Sequence, residues 1–162
     1  VGVVSALKRT QQTYDALAAA GAALPVPEVE PALAEQNFGR WEGLGWSEME
    51  ALDPAAYAAF WDNPTRLAPP GGESFAALTA RVAVAVDALT RRFAGRDIVC
   101  VSHGGTIRAA LALALGLAPE TAMAIVIDNL TLTRISHVAD GLLRARAGAW
   151  MVRGVNMPGR LG

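Results

Sequence analysis

The chain has 162 residues, 52% hydrophobic and 18% charged, so it has enough apolar surface for a real core and is not a disordered chain. With 14 basic against 15 acidic residues the net charge is −1, which leaves no basic surplus to neutralise a nucleic-acid backbone. No uncharged apolar run reaches the ~18–20 residues of a membrane-spanning helix, so no membrane partner is expected, and the length suits one domain.

Val1-Gly2-Val3-Val4 opens the chain without Met and reads as the tail of a buried strand, which raises the expectation that the sequence starts inside a domain. No signal-peptide pattern stands at Val1. Ser5 is a good N-cap for a helix to about Ala20, with Thr10, Thr13, Tyr14 and Leu17 on one face and Gly21 as its stop. Pro25, Pro27 and Pro31 make an extended, irregular link, and residues 33–44 read as a loop. Ser47 and Glu50 form a capping-box pattern for a short helix, and Asp53-Pro54 starts another. Pro69-Pro70-Gly71-Gly72 breaks the chain. From Ser74 to Phe93, Phe75, Leu78, Val82, Val86, Leu89 and Phe93 recur at helical steps.

Asp97 to Ser102 is expected as a buried strand of a parallel sheet covered on both faces, with Cys100 as inert core. That lone cysteine cannot form an internal disulfide and points to a reducing, cytoplasmic setting. His103-Gly104-Gly105 then turns into a helix to about Leu115. Two β-like stretches, Asn129 to Ser136 and Leu142 to Val152, flank Asp140-Gly141, a two-residue hairpin signal. Alternating strands and helices imply an α/β class: three α/β/α layers around a mostly parallel sheet, with an antiparallel hairpin at one edge. The oligomeric state stays open, a dimer through that hairpin being one option.

Two segments share a design. Val3-Val4-Ser5 with Arg9, and Ile98 to Gly105, each run from a strand into a helix. Ligands of open α/β sheets bind beyond the carboxyl ends of the strands, where helix N-termini favour anions. Glycines at 104 and 105 admit close backbone approach, and Arg9 has the planar fork that suits phosphate oxygens. The plain alternatives are a solvated helix arginine and a strand-end histidine. Glu35, among Leu33, Phe38 and Trp41, is a candidate general acid, with Glu42 competing for the role. Glu73 is a cap or a ligand contact. Tyr57, Phe60, Trp46 and Trp61 read as helix packing or partly as a substrate wall, and His137 as structural. No metal-ligand cluster, Walker A or GxGxxG pattern occurs, and the glycine spacing after the 97–102 strand argues against a dinucleotide fold.

Taken together, four stretches resemble the histidine phosphatase superfamily, the phosphoglycerate mutase-like fold. Val4-Ser5-Ala6-Leu7-Lys8-Arg9-Thr10-Gln11-Gln12-Thr13 is similar to its Ser-x-Leu-x-Arg-x-x-x-Thr segment. Residues 33–43, with Glu35, Gly39, Glu42 and Gly43, resemble its Leu-x-Glu…Gly-x-x-Glu-Gly segment; Gly72-Glu73-Ser74 resembles its Gly-Glu-Ser turn. Val101-Ser102-His103-Gly104-Gly105 resembles its second histidine motif, and the tail Trp150 to Asn156 also fits. The resemblance implies phosphoryl transfer to a histidine and then to water or another acceptor, with no metal or cofactor. It assigns Arg9, His103 and Gly104 to the phosphate, and His103 and Glu35 to catalysis, Glu35 as proton donor. Ser5, Trp41 and Glu42 are the candidates for lining the substrate pocket, and the partner is a small phosphorylated metabolite.

The mutases of that superfamily tend to carry longer insertions between the segments of Glu35 and His103, so the resemblance implies a small phosphomonoesterase, broad in specificity or α-ribazole phosphatase-like, rather than a mutase-type phosphoryl transferase. One departure stands out: the family's Arg-His-Gly motif is absent, and only His103 and His137 occur. Residues 1–162 are therefore expected to form one histidine-phosphatase-like domain lacking its first strand and helix, with the nucleophile upstream. A non-catalytic phosphate-binding relative is the alternative.

Overall fold

Strand β1 (Gly2–Val4) is buried and lies between two parallel partners, β2 (Pro27–Val29) and β3 (Val99–Val101). This arrangement comes from a computed structural model, which describes residues 1–139 and 149–159. Helix α1 (Lys8–Ala19) packs against β1 and β3. Val3 enters a core with Leu33 and with Phe75, Leu78, Val82 and Leu89 of α4 (Phe75–Arg92). Ala109 and Ala112 of α5 (Gly104–Leu115) complete that core, their small side chains letting α5 approach α4 closely.

Several expected boundaries shift. Helix α1 begins after Leu7, not at Ser5, because the Ser5 hydroxyl turns inward instead of capping. Thr10 and Tyr14 are buried as expected, Leu17 is exposed, and Gly21 (φ +95°) follows the helix. The proline link contains an unforeseen strand, β2. It has no local pattern of its own and forms by pairing with β1, at the sheet edge where a proline is tolerated. Helix α2 (Trp46–Leu52) starts earlier than the Ser47–Glu50 pattern implied, with Glu48 Oε2 accepting from Gly45 N–H at 2.7 Å. Helix α3 (Pro54–Asp62) is capped as expected, Asp53 Oδ1 accepting from Ala56 N–H at 3.0 Å. Ser74 caps α4 in the same way.

The 97–102 segment departs most. Only Val99–Val101 pair, β3 is an edge strand, and Val99 and Cys100 are exposed. Cys100 is thus not core, because no strand among the described residues covers that edge. After α6 (Pro119–Ala122), strands β4 (Thr131–Val138) and β5 (Ala149–Pro158) form the antiparallel hairpin as a sheet of its own, packed on α5. The Asp140-Gly141 turn lies outside the described residues, and Val138 pairs with Ala149.

A second cluster joins Trp41, Met49 and Phe60. It is held beside the main core by two loops in backbone contact, Gly39 packing on residues 70–72 and Gly72 on Asn37. A Cβ at Gly72 would lie 2.3 Å from the Asn37 carbonyl oxygen, closer than any side chain tolerates. Gly72→Ala is expected to destabilise the protein by about 1–3 kcal/mol, the range for overpacking, read as a lowered urea midpoint at unchanged slope.

Candidate active site

Parallel pairing of β1 with β3 ends both strands on one side of the sheet and sets Ser5 next to His103, 98 residues away. Both are buried. Arg9 Nε–H donates to His103 Nδ1 at 3.2 Å, so Nδ1 is the acceptor and the ring proton sits on Nε2. Nε2–H then donates to Ser5 Oγ at 2.7 Å. Ser5 Oγ in turn meets Thr10 Oγ1 at 2.8 Å, and Thr10 Oγ1–H donates to the Leu7 carbonyl at 2.8 Å. This buried chain of donors ends on backbone and holds the imidazole in one orientation and one tautomer.

His103 is also the N-cap of α5, so the first N–H groups of that helix point into the same space. Burial holds the His103 imidazole below its usual range; the Arg9 charge adds to the effect and Glu35 opposes it.

Glu35 reaches this helix end from the 33–44 loop. Its Oε2 accepts from Gly105 N–H at 3.2 Å, and its Oε1 from Gln36 N–H at 3.0 Å. Gly105 has to be glycine here, since a Cβ would sit 2.3 Å from Glu35 Oε1. The loop is fastened from two sides. Thr106 Oγ1 donates to Ala34 O at 3.0 Å and Ser102 Oγ to Leu33 O at 3.0 Å. From α4, Arg81 donates to Ala32 O at 2.7 Å and pairs with Glu73 Oε1 at 2.5 Å. Glu73 also accepts from Asn37 N–H at 3.0 Å, so it ties loop to helix, the cap of α4 being Ser74.

A cavity of about 320 Å3 opens beside Glu35 and Gly105, walled by Phe38, Phe60, Trp46 and Trp61. The structure therefore gathers Ser5, Arg9, Glu35, His103 and Gly104 at one place. It leaves out two expected pocket residues. Trp41 is 1% exposed and packs in the second core, because its ring fills the space between Phe60 and Tyr57. Glu42 turns back to accept from Phe38 N–H at 2.9 Å, closing its own turn. His137 stacks on Trp150 in the hairpin, rings 4.8 Å apart. Thr10, Arg81 and Arg108 (which also lines the cavity) were not foreseen as site residues. Arg81 left one trace in the sequence: it adjoins the apolar stripe of α4 but has alanine, not a carboxylate, at positions 77 and 85.

The sequence matches the model of the histidine phosphatase superfamily (branch 1) over residues 1–147. The chain belongs to that superfamily. A bifunctional protein of Mycobacterium tuberculosis is 34% identical over 152 residues, 93% of this chain but only 40% of the relative. A metal-independent phosphoserine phosphatase of Arabidopsis thaliana is 37% identical over 106 residues, 65% of this chain and 44% of that protein. Among solved structures, a mycobacterial glucosyl-3-phosphoglycerate phosphatase with inorganic phosphate superposes with a TM-score of 0.76. It is 28% identical, and the match covers 98% of this chain and 77% of that one. The fold is that of the histidine phosphatases.

The lowered affinity of His103 for a proton in this histidine phosphatase fold has a consequence for stability. The unfolded chain protonates this ring at a higher pH than the folded one, so its contribution is full above the ordinary histidine value and lost as pH falls through the folded value. The urea midpoint is expected to drop between about pH 7.5 and about pH 5.5, which bracket the ~6.5 of an ordinary histidine, and to drop less in His103→Asn.

Proposed function

We propose that these residues form most of a phosphomonoesterase that works through a phosphohistidine and needs no metal ion. The observation that carries this is the meeting of Arg9, His103 and the α5 N-terminus with the Glu35 carboxylate at one helix end. Cations and N–H donors there suit the oxygens of a transferring phosphoryl group, whose charge must be stabilised while the P–O bond breaks. A nucleophilic imidazole nitrogen takes the phosphoryl group, the Glu35 carboxyl gives its proton to the departing alkoxide, and water then releases inorganic phosphate.

The nucleophile itself lies outside this sequence. Both ring nitrogens of His103 are engaged, and His137 lies in the hairpin. The open β3 edge supports a place for it: a further parallel strand paired there would end beside His103, as β1 does on the other side. Such a strand and its helix would complete the domain. The reading extends to a small phosphorylated metabolite as substrate, α-ribazole phosphate among the compounds to assay. A second reading, a phosphate-binding relative without turnover, is favoured by the sequence holding only His103, whose ring nitrogens are both engaged, and His137, which lies in the hairpin.

A polypeptide carrying residues 1–162 with their preceding segment is expected to hydrolyse an aryl phosphate in the presence of chelator and to trap an acid-labile phosphoryl group. Loss of all turnover on metal removal overturns the reading. Binding of phosphate or vanadate without turnover selects the second. In the active form, Glu35→Gln is expected to slow esters with poor leaving groups by about 10²–10⁴-fold and a nitrophenyl ester far less. Gly105→Ala should follow the same pattern by displacing Glu35, since its Cβ would sit 2.3 Å from Glu35 Oε1.

A further inference from the structure

The cavity beside Glu35 is more specific than a phosphate pocket requires. Its outer wall is two tryptophans from successive helices, Trp46 of α2 and Trp61 of α3, with ring centroids 5.2 Å apart. They are 60% and 41% exposed, and although Trp61 packs edge-on against Phe60 at 5.0 Å, both leave much of their apolar rings uncovered where they line the cavity. Phe38 and Phe60 continue the wall inward.

Besides Glu35, the same cavity is lined by one cationic side chain, Arg108. Arg108 is half-buried on α5, and its Nε–H donates to the Ile125 carbonyl at 2.6 Å, which fixes the plane of the guanidinium. Among the described residues it makes no ion pair and no other hydrogen bond. It lies three residues after Gly105 and so on the same face of α5, about 4–5 Å further along the helix axis. A ligand with its phosphoryl group at the α5 N-terminus would therefore run its alcohol portion past Glu35, along the tryptophans and toward Arg108. A half-buried guanidinium held by one bond, with its remaining N–H groups unused, matches a carboxylate in geometry and charge.

We infer that this cavity selects the leaving group, taking phosphomonoesters of a flat aromatic alcohol that carries a carboxylate: the ring lies against Trp46 and Trp61, and the carboxylate pairs with Arg108. This rests on the reading of the His103 end as the phosphate pocket.

Calorimetric titration of the protein with inorganic phosphate, ethyl phosphate, phenyl phosphate, 4-carboxyphenyl phosphate and benzoate tests it. Phenyl phosphate is expected to bind about 3–10-fold more tightly than ethyl phosphate, the effect of one aromatic contact, and Trp61→Ala to remove that difference. The carboxylate is expected to add about tenfold or more, lost in Arg108→Gln and partly kept in Arg108→Lys, with phenyl phosphate binding unchanged in both. Equal affinity for ethyl, phenyl and carboxyphenyl phosphates overturns the inference and leaves the phosphate pocket standing. Equal weakening of all three by Arg108→Gln also overturns it, since Arg108 would then act on the phosphate or on the fold. Arg108-dependent binding of benzoate without any binding of phosphate keeps the cavity's selectivity and removes the phosphate pocket. Binding of none of the five overturns both.

Discussion

Parallel hydrogen bonding between β1 and β3 is the constraint on which the rest depends. Each strand has only three residues, yet their register, Gly2 with Val99 and Val4 with Val101, brings residues from opposite ends of the chain to one strand tip. Ser5 and His103 can then share a hydrogen bond inside the protein, and Arg9 closes on the other side of the ring. Without that register the two strand-to-helix segments would be separate helix starts. With it, a helix N-terminus, a guanidinium and an oriented imidazole act on one volume.

The Glu35 side of the site has a different support. Glu35 lies on a loop with no regular ladder, and loops of that kind need anchors. Arg81 supplies most of them from α4, bonding two loop carbonyls and the Glu73 carboxylate together. The pair is mostly buried, so it is far less screened than an exposed ion pair. Gly39 and Gly72 complete the fastening because only residues without side chains let the two loops touch. The Gly-Glu-Ser turn is thus part of how Glu35 is positioned, though none of its residues reaches the phosphate end.

The polar end and the aromatic end divide the labour of the site. Ser5, Thr10, Arg9 and His103 form a compact network whose geometry is set by the sheet. The cavity wall comes from α2 and α3, in the stretch between the Glu35 loop and α4. Those helices pack around Trp41, Met49 and Phe60, so their contents can vary without disturbing the network around His103. A family that keeps one chemistry while changing substrates needs that separation.

Much of this was legible from the residues alone. Long helices announce themselves through periodic apolar positions, as α4 does, and a cap such as Asp53 through local hydrogen bonding. Arg9, Glu35 and His103 were legible because each sits in a short segment whose chemistry is local. Strand β2 was not, since its three residues become a strand only by pairing with β1. Nor was the exposure of β3, which depends on what stands beside it. Trp41 and Glu42 were misplaced because a sequence does not show which way a loop side chain turns, and the second core claimed one and a turn N–H the other. The sequence by itself determined the longer helices, the α/β class and the superfamily. Only the tertiary structure decided the tautomer of His103, the clamp of Arg81 on the Glu35 loop and the aromatic cavity that Arg108 also lines. Each of those joins residues far apart in the chain, and no local pattern encodes a contact of that kind.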